Sequence, residues 1–253
     1  MNRLDIKGDA RRIFDTLLGG GVAIIPNDAG YALMGGSYEA VRRIFVAKKR
    51  GGHKRNAMLA SMATQRELHV LDQRSQDMVE MLTQDYNLTV GVAAPYRKDH
   101  PLIAKMDKRL VEASTGNDTV GLLLNGGPLF EEVCRLCREA VLPVFGSSAN
   151  ITGTGPKFRV EDIQPELRAI ADVIVDYGLR KYHHYQRSAT TLSFANGEVE
   201  CLRIGSCYEL ISDVPQWNIQ NQVSSWESWI QRGDVKAIMG LLEQSDSIVS
   251  VTQ

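Results

Sequence analysis

The chain has 253 residues, of which 43% are hydrophobic, and its formal net charge is −1. This length is enough to bury one sizeable core in one or two domains. The near-zero charge excludes a general electrostatic attraction to nucleic acid, so any basic site must be local. Apolar runs such as 120–124 are far too short to span a membrane, and residues 1–5 do not resemble a secretory signal, so we expect a cytoplasmic protein without membrane contact.

The first half of the sequence alternates predicted helices and strands. Apolar spacing predicts a helix over 9–18, and the run 22–25 predicts a buried strand that Pro26 stops. Ser37 is suited to the N-cap of a second helix, which runs to about Lys49 and whose charged end we expect to be exposed. The elements expected next are a strand at 56–61, helices near 64–69 and 74–83, and a strand at 88–94.

The second half continues the alternation and ends in a hairpin. Its predicted elements are strands at 119–124, 142–146 and 172–176 and helices at 128–139 and 161–170. Two further strands, at 189–194 and 199–204, flank Asn196-Gly197. An Asn-Gly pair between two such runs is a strong signal for a tight turn, so we expect these strands to pair with each other.

This order of elements predicts one α/β domain followed by a different tail. Residues 1–205 are expected to form a single domain with a mixed sheet flanked by helices. Residues 206–253 contain two amphipathic helical segments, 223–231 and 233–244. We interpret residues 206–253 as a small helical C-terminal extension that packs on the core or on a partner; the sequence leaves the oligomeric state open.

Two of the four cysteines, Cys134 and Cys137, form a C-x-x-C inside the predicted helix 128–139. A zinc site would need a second such pair or histidines at ligand spacing, and a redox pair would need a helix N-terminus or cations nearby. The favoured interpretation is a buried helical face, since free cysteine is usually a small core residue. We therefore predict no metal site.

A group of cations closes the second predicted helix. Lys48 and Arg50 stand two residues apart, and Lys54 follows four residues later. A guanidinium and two ammonium groups at a helix–loop junction can hold phosphate oxygens. Cations before a glycine are also typical of an ordinary helix C-terminus, so a solvated surface cluster is the alternative.

Two polar segments follow predicted strands and are candidates for ligand binding. Residues 147–153 place Ser148 and Asn150 after one strand, and residues 26–33 place Asp28 and Tyr31 after another. Small polar groups beyond a strand's carboxyl end suit ligand binding in an α/β sheet. Polar turns with satisfied side chains are the alternative for both. With Lys48 and Arg50, the first segment would bind an anionic, nucleotide-like ligand.

In this order, the segments resemble the YrdC-like family of threonylcarbamoyl-AMP synthases. That family carries P-T-[DE]-[TA]-x-Y-G-L after a strand, a helix ending K-x-R with a further Lys, a P-G-P-x-T strand, S-x-N-x-S-G and finally L-R-x-G. The resemblance covers about residues 10–205. The matching residues here are Pro26, Asp28, Tyr31, Leu33, Lys48, Arg50, Lys54, Thr89, Ser148, Asn150, Gly153, Leu202, Arg203 and Gly205.

The resemblance implies a fold, a reaction and partners. The fold would be a twisted, mostly mixed sheet with flanking helices and a concave, positively charged ligand face. The activity would be a nucleotidyltransferase reaction that joins L-threonine, bicarbonate and ATP, with Mg²⁺, into threonylcarbamoyl-AMP and pyrophosphate for the t6A modification of tRNA. Some members are described as binding double-stranded RNA.

The resemblance also assigns roles to individual residues. Lys48 and Arg50 would be catalytic, because fixed cations stabilise the charge that develops on the phosphates. The nucleotide would be bound by Lys48, Arg50, Lys54, Ser148, Asn150 and Arg203. The amino acid would be bound by Asn27, Asp28, Tyr31 and Thr190.

Several positions depart from the family pattern. Asn27 replaces the threonine after the proline, Ala32 replaces the glycine of Tyr-Gly-Leu, and Asp85-Tyr86-Asn87 replaces Pro-Gly-Pro. The segment 122–125 replaces Val-Arg-x-Pro, which puts Leu123 where the family has arginine. These departures suggest a divergent paralogue. It would make the same adenylate with altered contacts, act on another amino acid or metabolite, or be a non-catalytic module that binds nucleotide or double-stranded RNA.

Overall fold

The computed structural model describes residues 4–49, 56–195 and 197–213. The predictions made for Arg50, Lys54, Asn196 and the two tail helices therefore lie outside the described residues. Within the described part of the chain, no helix combines the length and apolar character needed to cross a bilayer.

The described residues form helices and strands that mostly follow the predicted order. The helices are α1 (Ile6–Leu18), α2 (Tyr38–Ala47), α3 (Met62–Leu68), α4 (Gln73–Glu80), α5 (Pro101–Ala104), α6 (Lys108–Ser114), α7 (Pro128–Glu139), α8 (Pro165–Ala169) and α9 (Tyr208–Ser212). The strands are β1 (Val22–Asn27), β2 (Gly30–Gly35), β3 (Ala57–Leu59), β4 (Val90–Pro95), β5 (Thr115–Gly116), β6 (Thr119–Leu124), β7 (Phe145–Ser148), β8 (Val173–Ile174), β9 (Thr190–Ser193) and β10 (Glu200–Arg203). A π-helical turn (Met81–Asp85) extends α4, and a 3₁₀ turn spans His183–Tyr185.

The strands form one mixed sheet, which confirms the predicted α/β class. Its order is β10-β9-β4-β6-β3-β7-β2-β1-β8, and β5 pairs with β6 outside this path. The β3–β6, β4–β9 and β1–β8 pairs are parallel, whereas the other pairs are antiparallel. The β9–β10 pair is the hairpin predicted from Asn196-Gly197.

The largest difference from the sequence prediction is a hairpin at β1 and β2. Pro26 was expected to stop β1, but the strand continues through it to Asn27, and Pro26 pairs with Tyr31 of β2. On the other side of β1, β8 pairs only with Ala23 and Ile24. No ladder partner lies opposite Pro26 there among the described strands, so its missing N–H is tolerated as it is at a sheet edge.

Helices α1 and α7 pack together over β1 and cover one part of the sheet. Ile13 and Leu17 of α1 and Phe130 and Val133 of α7 are buried in the same apolar cluster. The two cysteines of the C-x-x-C belong to this cluster, and burial raises the pKa of the Cys137 thiol to about 12. The prediction of a buried helical face at these cysteines is therefore confirmed.

The first residues of the expected C-terminal extension belong to the main core. Ile211 of α9 is fully buried in the large apolar cluster that also contains Leu192 of β9 and Tyr182. The packed domain thus continues to at least Ile211, a few residues beyond the boundary expected at 205.

Candidate functional site

A cavity of about 830 Å³ lies against the sheet. Its lining comes from β2, β3, β4, β6, β7, β9 and β10, together with the loops that follow several of them. On β6 the residues alternate: Thr119, Gly121 and Leu123 are partly exposed and line the cavity, while Val120, Leu122 and Leu124 are buried in the core, with Leu122 also bordering the cavity. The strand period of two therefore gives the sheet one face for packing and one for a ligand.

Small residues keep the floor of this cavity open. A Cβ on Gly146 would overlap the Leu33 carbonyl oxygen, so this position admits only glycine. Gly121 differs, because a Cβ there would meet its nearest atoms, the Ala57 Cα and the Asn56 carbonyl oxygen, at 3.9 Å. The space above Gly121 is therefore free for a ligand that approaches the backbone closely.

One side of the cavity, which we name the lysine wall, consists of Lys48, Ser148, Asn150 and Thr152. Lys48 follows α2 and is only 1% exposed, so the expectation of an exposed helix end was wrong for this residue. Its Nζ donates hydrogen bonds to the carbonyl oxygens of Ser148 and Asn150. The C-terminal end of α2 therefore turns its lysine inward, against the loop that follows β7.

The other polar groups of the lysine wall also bond one another. The Ser148 hydroxyl donates to Asn150 Oδ1, and Asn150 Nδ2 donates to the Ile151 carbonyl oxygen at 2.7 Å. The Thr152 N–H and hydroxyl both donate to the Lys48 carbonyl oxygen, at 3.1 and 2.9 Å. Lys48, Ser148 and Asn150, predicted from distant segments, are thus brought together and held rigidly.

The segment proposed for amino-acid binding divides between the cavity and the protein interior. Asn27 and Tyr31 line the cavity, and Asn27 Oδ1 accepts a hydrogen bond from the Ala29 N–H at 2.9 Å. The Tyr31 hydroxyl lies 2.9 Å from both Asp176 Oδ1 and the Gly178 carbonyl oxygen and accepts from the Tyr177 N–H at 3.0 Å. Burial and the Asp176 hydrogen bond raise the pKa of Tyr31 to about 12. This hydroxyl therefore fastens β2 to residues 176–178.

Asp28 is not among the cavity-lining residues. Its carboxylate lies 3.5 Å from Lys181 Nζ and 4.0 Å from Arg180 Nη2. Burial raises the pKa of Asp28, although both cations oppose this shift. The Arg180 side chain also donates to the Asn27 carbonyl oxygen at 3.0 Å. The geometry therefore gives Asp28 an ion-pairing role beneath the site.

Arg203 lines the far side of the cavity, whereas Thr190 lies beneath it. Both Nε and Nη2 of Arg203 donate to the Ala189 carbonyl oxygen, at 3.0 and 2.8 Å. The side chain is open to solvent but has protein around it within the concavity, and this desolvation lowers its pKa. Thr190 is fully buried and donates to the Ser206 carbonyl oxygen, so the next residue, Thr191, faces the cavity instead.

A second polar side of the cavity was missed from the sequence. We name it the asparagine wall, and it consists of Asn56 and Ser114. Asn56 is 2% exposed and Ser114 is 1% exposed. Within the described part of the chain, neither the Asn56 amide atoms nor the Ser114 hydroxyl has a hydrogen-bond partner. The sequence does not predict this wall, because an asparagine before a strand and a serine at the end of a helix are common and do not indicate ligand binding.

The cavity has a modest positive character. Among the described residues that line it, the charged ones are Lys48 and Arg203, and none is acidic. Mg²⁺ is usually held by one or two carboxylates together with phosphates and water. The described residues offer no group of three or more potential metal ligands, and none of those that line the cavity carries a carboxylate. A Mg²⁺ ion bound in the cavity would therefore be held by phosphate oxygens and water.

Comparison with protein families gives one clear match. The family model for Sua5, YciO and YrdC proteins, whose description reads "Telomere recombination", matches residues 15–205. This range includes every described residue of the cavity lining. A comparison with curated protein sequences gives no significant match.

Solved structures of several proteins have the same fold. A doubly substituted variant of P. abyssi Sua5 matches with a TM-score of 0.66 at 19% identity, over 85% of this chain and 61% of that chain. E. coli YciO matches with a TM-score of 0.61 at 16% identity, over 79% of this chain and 92% of that chain. HypF in a phosphate- and nucleotide-bound form matches with a TM-score of 0.58 at 21% identity, over 82% of this chain and 30% of that chain. The chain thus spans less than two thirds of the matched Sua5 and HypF chains.

Proposed function

Since the chain belongs to the Sua5/YciO/YrdC family, we propose that it is a nucleotidyltransferase that binds ATP in the cavity and forms a carbamoyl-adenylate. L-Threonine and bicarbonate are the first co-substrates to test. A solved structure of P. abyssi Sua5, which has the same fold, is a complex with L-threonine, and the matching HypF structure holds phosphate and nucleotide.

One observation carries this proposal. Lys48, Ser148, Asn150 and Arg203 come from three separate parts of the chain, and all four line the same cavity. Its volume of about 830 Å³ lies within the usual range for pockets that hold drug-sized ligands, about 300–1,000 Å³. A nucleotide and a small amino acid together are of that size. A solvated surface cluster, the alternative for the cations, does not fit a lysine that is 1% exposed.

The proposed chemistry needs no side-chain nucleophile. The amine of the amino acid combines with bicarbonate and loses water to give a carbamate. A carbamate oxygen then attacks the α-phosphorus of ATP, the bond between the α-phosphorus and the bridging oxygen breaks, and pyrophosphate leaves with the electron pair. Negative charge grows on the phosphate oxygens during this step, so a fixed cation and fixed dipoles nearby stabilise the transition state.

The lysine wall is suited to that electrostatic role. Lys48 is held by two carbonyl oxygens and therefore needs no reorganisation to present its charge beside the loop after β7. The Ser148 hydroxyl and the Asn150 amide are fixed by each other in the same way. Arg203, held by the Ala189 carbonyl oxygen, supplies a second fixed cation across the cavity.

A change of amino-acid substrate is the second candidate, and Leu123 favours it. Leu123 stands where the family pattern has arginine, and its side chain lines the cavity. The described lining therefore has one cation fewer than the pattern implies. A charge-assisted hydrogen bond contributes about 1.5–3 kcal/mol, so this loss is enough to alter which anionic group is bound.

The test is threonine-dependent release of pyrophosphate. The full chain is incubated with ATP, Mg²⁺, bicarbonate and L-threonine, beside a competent family member, and pyrophosphate is measured. Gly121→Val, which fills the cavity, is the negative control, because a contaminating ATPase does not depend on it. Release that requires threonine supports the first candidate. Release only with another amino acid supports the second, and no release with any amino acid refutes the proposed enzyme.

A further inference from the structure

Asn56 carries an amide that is buried and unsatisfied. It precedes β3 and is 2% exposed, and neither its Nδ2 nor its Oδ1 has a hydrogen-bond partner in the described chain. A buried donor or acceptor without a partner destabilises the folded protein, and this one side chain has both. Such groups are rare in folded proteins and need an explanation.

Ser114 adds a second unsatisfied group at a neighbouring position. On β6, Val120 and Thr119 pair with β4 along one edge, so β5, which pairs with the same two residues, must use the other edge. That other edge is also the one that β3 uses, starting at Ala57 opposite Gly121. Ser114 directly precedes β5 and Asn56 directly precedes β3. Both residues of the asparagine wall therefore lie beside the Val120–Gly121 segment of β6, where the cavity floor is open.

The asparagine wall also adjoins the lysine wall. Ala57 of β3 pairs with Gly146 of β7 in an antiparallel register. Moving one residue back along β3 and one forward along β7 brings Asn56 beside Ser147, the residue before Ser148. A ligand whose phosphate lies at Ser148 would thus place its next few atoms at Asn56.

From these positions we propose that Asn56, with Ser114, binds a neutral ligand group that offers a hydrogen-bond donor next to an acceptor. An amide pairs with such an edge through two hydrogen bonds, its oxygen accepting and its nitrogen donating. The unsubstituted carbamoyl group of carbamoyl phosphate has this edge, an N–H beside a C=O, next to its phosphate, and an N-substituted carbamoyl-adenylate offers it when its N–H is cis to the C=O. The edge of an adenine base has it too. This inference deepens the proposed function and rests on it for the carbamoyl source.

Opening of the wall is part of the binding event. Because the amide is closed to water in the free protein, a ligand reaches it only if neighbouring side chains move slightly. Asn56 therefore destabilises the folded free protein and stabilises its complex with the ligand. Replacing it by leucine, which has a similar size and no polar atoms, should raise the thermal midpoint of the free protein and weaken binding. A merely structural asparagine would lower the midpoint and leave binding unchanged.

Four probes distinguish whether a carbamoyl group or an adenine base supplies the hydrogen-bonding edge that Asn56 binds. Carbamoyl phosphate and acetyl phosphate have nearly the same shape, but a methyl group in the second replaces the amino group of the first. Adenosine carries the base without phosphate, and inorganic tripolyphosphate carries phosphate without the base. Isothermal titration of each probe into the full-length wild type, Asn56→Leu and Ser114→Ala gives the affinities.

We expect the wild type to prefer carbamoyl phosphate to acetyl phosphate about 5-fold or more, because the amino group adds one hydrogen bond, worth about 1 kcal/mol. Asn56→Leu should lose this preference, while tripolyphosphate binding stays the same. If adenosine binding weakens by a similar factor instead, the base is the source of the edge. The inference is overturned if neither ligand pair responds to Asn56→Leu, or if the wild type binds none of the four probes.

Ser206→Ala is the matched control for Ser114→Ala. Ser206 is also a fully buried serine whose hydroxyl lacks a partner in the described structure, but it does not line the cavity. Its substitution should leave all four affinities unchanged. These binding measurements are independent of the pyrophosphate assay. If the wild type shows the Asn56-dependent preference but releases no pyrophosphate, the proposed enzymatic activity is refuted while the proposed binding site stands.

Discussion

The two polar walls of the cavity differ in how their hydrogen bonds are satisfied. In the lysine wall, Lys48 Nζ, the Ser148 hydroxyl and the Asn150 amide all have partners within the protein. In the asparagine wall, the Asn56 amide and the Ser114 hydroxyl have none in the described part of the chain. Lys48 and Asn150 of the lysine wall are buried like Asn56 and Ser114, so burial alone does not explain the difference.

This contrast assigns a structural role to the lysine wall and a ligand-recognition role to the asparagine wall. A satisfied buried network is rigid and holds charge in place before a ligand arrives. An unsatisfied buried group destabilises the free protein by about 1–3 kcal/mol and recovers that free energy when a ligand supplies the missing partner. We therefore expect substitutions in the lysine wall to affect stability most, and substitutions that alter the open part of the cavity to affect ligand binding most.

The largest expected effect is that of Lys48→Ala. This change leaves the carbonyl oxygens of Ser148 and Asn150 without their charged donor. At about 1.5–3 kcal/mol for each such bond, the free energy of unfolding should fall by about 3–6 kcal/mol. Urea denaturation measures this value. The exposed neighbour Lys49 is the control, and Lys49→Ala should change stability by less than about 0.5 kcal/mol. Equal stability of the two variants would contradict a structural lysine wall.

A second prediction concerns His69, an unsatisfied polar group in the core and not in the cavity. Its Nδ1 has no partner among the described residues, and burial lowers the pKa of His69 from 6.5 to about 4. Below pH 6.5 the unfolded chain takes up a proton that the folded protein refuses until about pH 4. His69 therefore removes about 3 kcal/mol of stability as the pH falls through this window.

His69→Gln should abolish this part of the acid sensitivity. Unfolding free energies measured between pH 7 and 4 should decline about 3 kcal/mol less in the variant than in the wild type. His184→Gln, at an exposed position, is the control and should keep the wild-type decline. Ligand affinity should not respond to His69→Gln, since His69 does not line the cavity. A parallel decline in both variants would refute the role assigned to burial.

Filling the open floor should block binding without loss of stability. In Gly121→Val the new side chain enters free space, because a Cβ there has no neighbour closer than 3.9 Å. We expect the affinity for ATP to fall at least about 30-fold, or about 2 kcal/mol, while the free energy of unfolding changes by less than about 1 kcal/mol. Titration calorimetry and denaturation measure the two values, and Gly121→Ala should give an intermediate loss. Unchanged ATP binding in Gly121→Val would place the nucleotide elsewhere.

The smallest predicted effect is a gain from Leu123→Arg. The new guanidinium would extend from β6 into the cavity and supply a charge that its lining lacks. One added charge-assisted bond should tighten tripolyphosphate binding about 10-fold, or about 1.4 kcal/mol. Leu123→Gln, similar in length but neutral, should tighten binding much less. If both variants bind tripolyphosphate like the wild type, the anion does not reach this part of the cavity.

The sequence predicted the regular elements well where a strong periodic pattern marks them. Helix α7 and strand β6 were predicted with the bounds that the structure shows, and the β9–β10 hairpin followed from Asn196-Gly197. Strand β2 and helix α6 were missed. Strand β2 was missed because Pro26 was expected to end the strand before it, as proline usually does. Helix α6 was missed because it is short and rich in charged residues.

The candidate site was predictable in two of its cations, in its polar loop and in Asn27 and Tyr31, which also line the cavity. Lys48 and Ser148 are recognisable by residue type and order, but the inward turn of Lys48 depends on contacts between residues 100 apart. The asparagine wall depends on the absence of partners among the described residues, which only a three-dimensional structure can show. The roles proposed for Arg50 and Lys54 remain predictions from the sequence.

A crystal structure with α,β-methylene-ATP tests the central claim most directly, because this analogue keeps its shape but cannot release pyrophosphate. We predict that the nucleotide lies in the cavity with its phosphates beside Lys48 and Ser148 and with the lysine wall unmoved. A nucleotide bound outside the cavity, or a lysine wall that must break its internal hydrogen bonds to bind, would contradict the division into a rigid scaffold wall and an unsatisfied recognition wall.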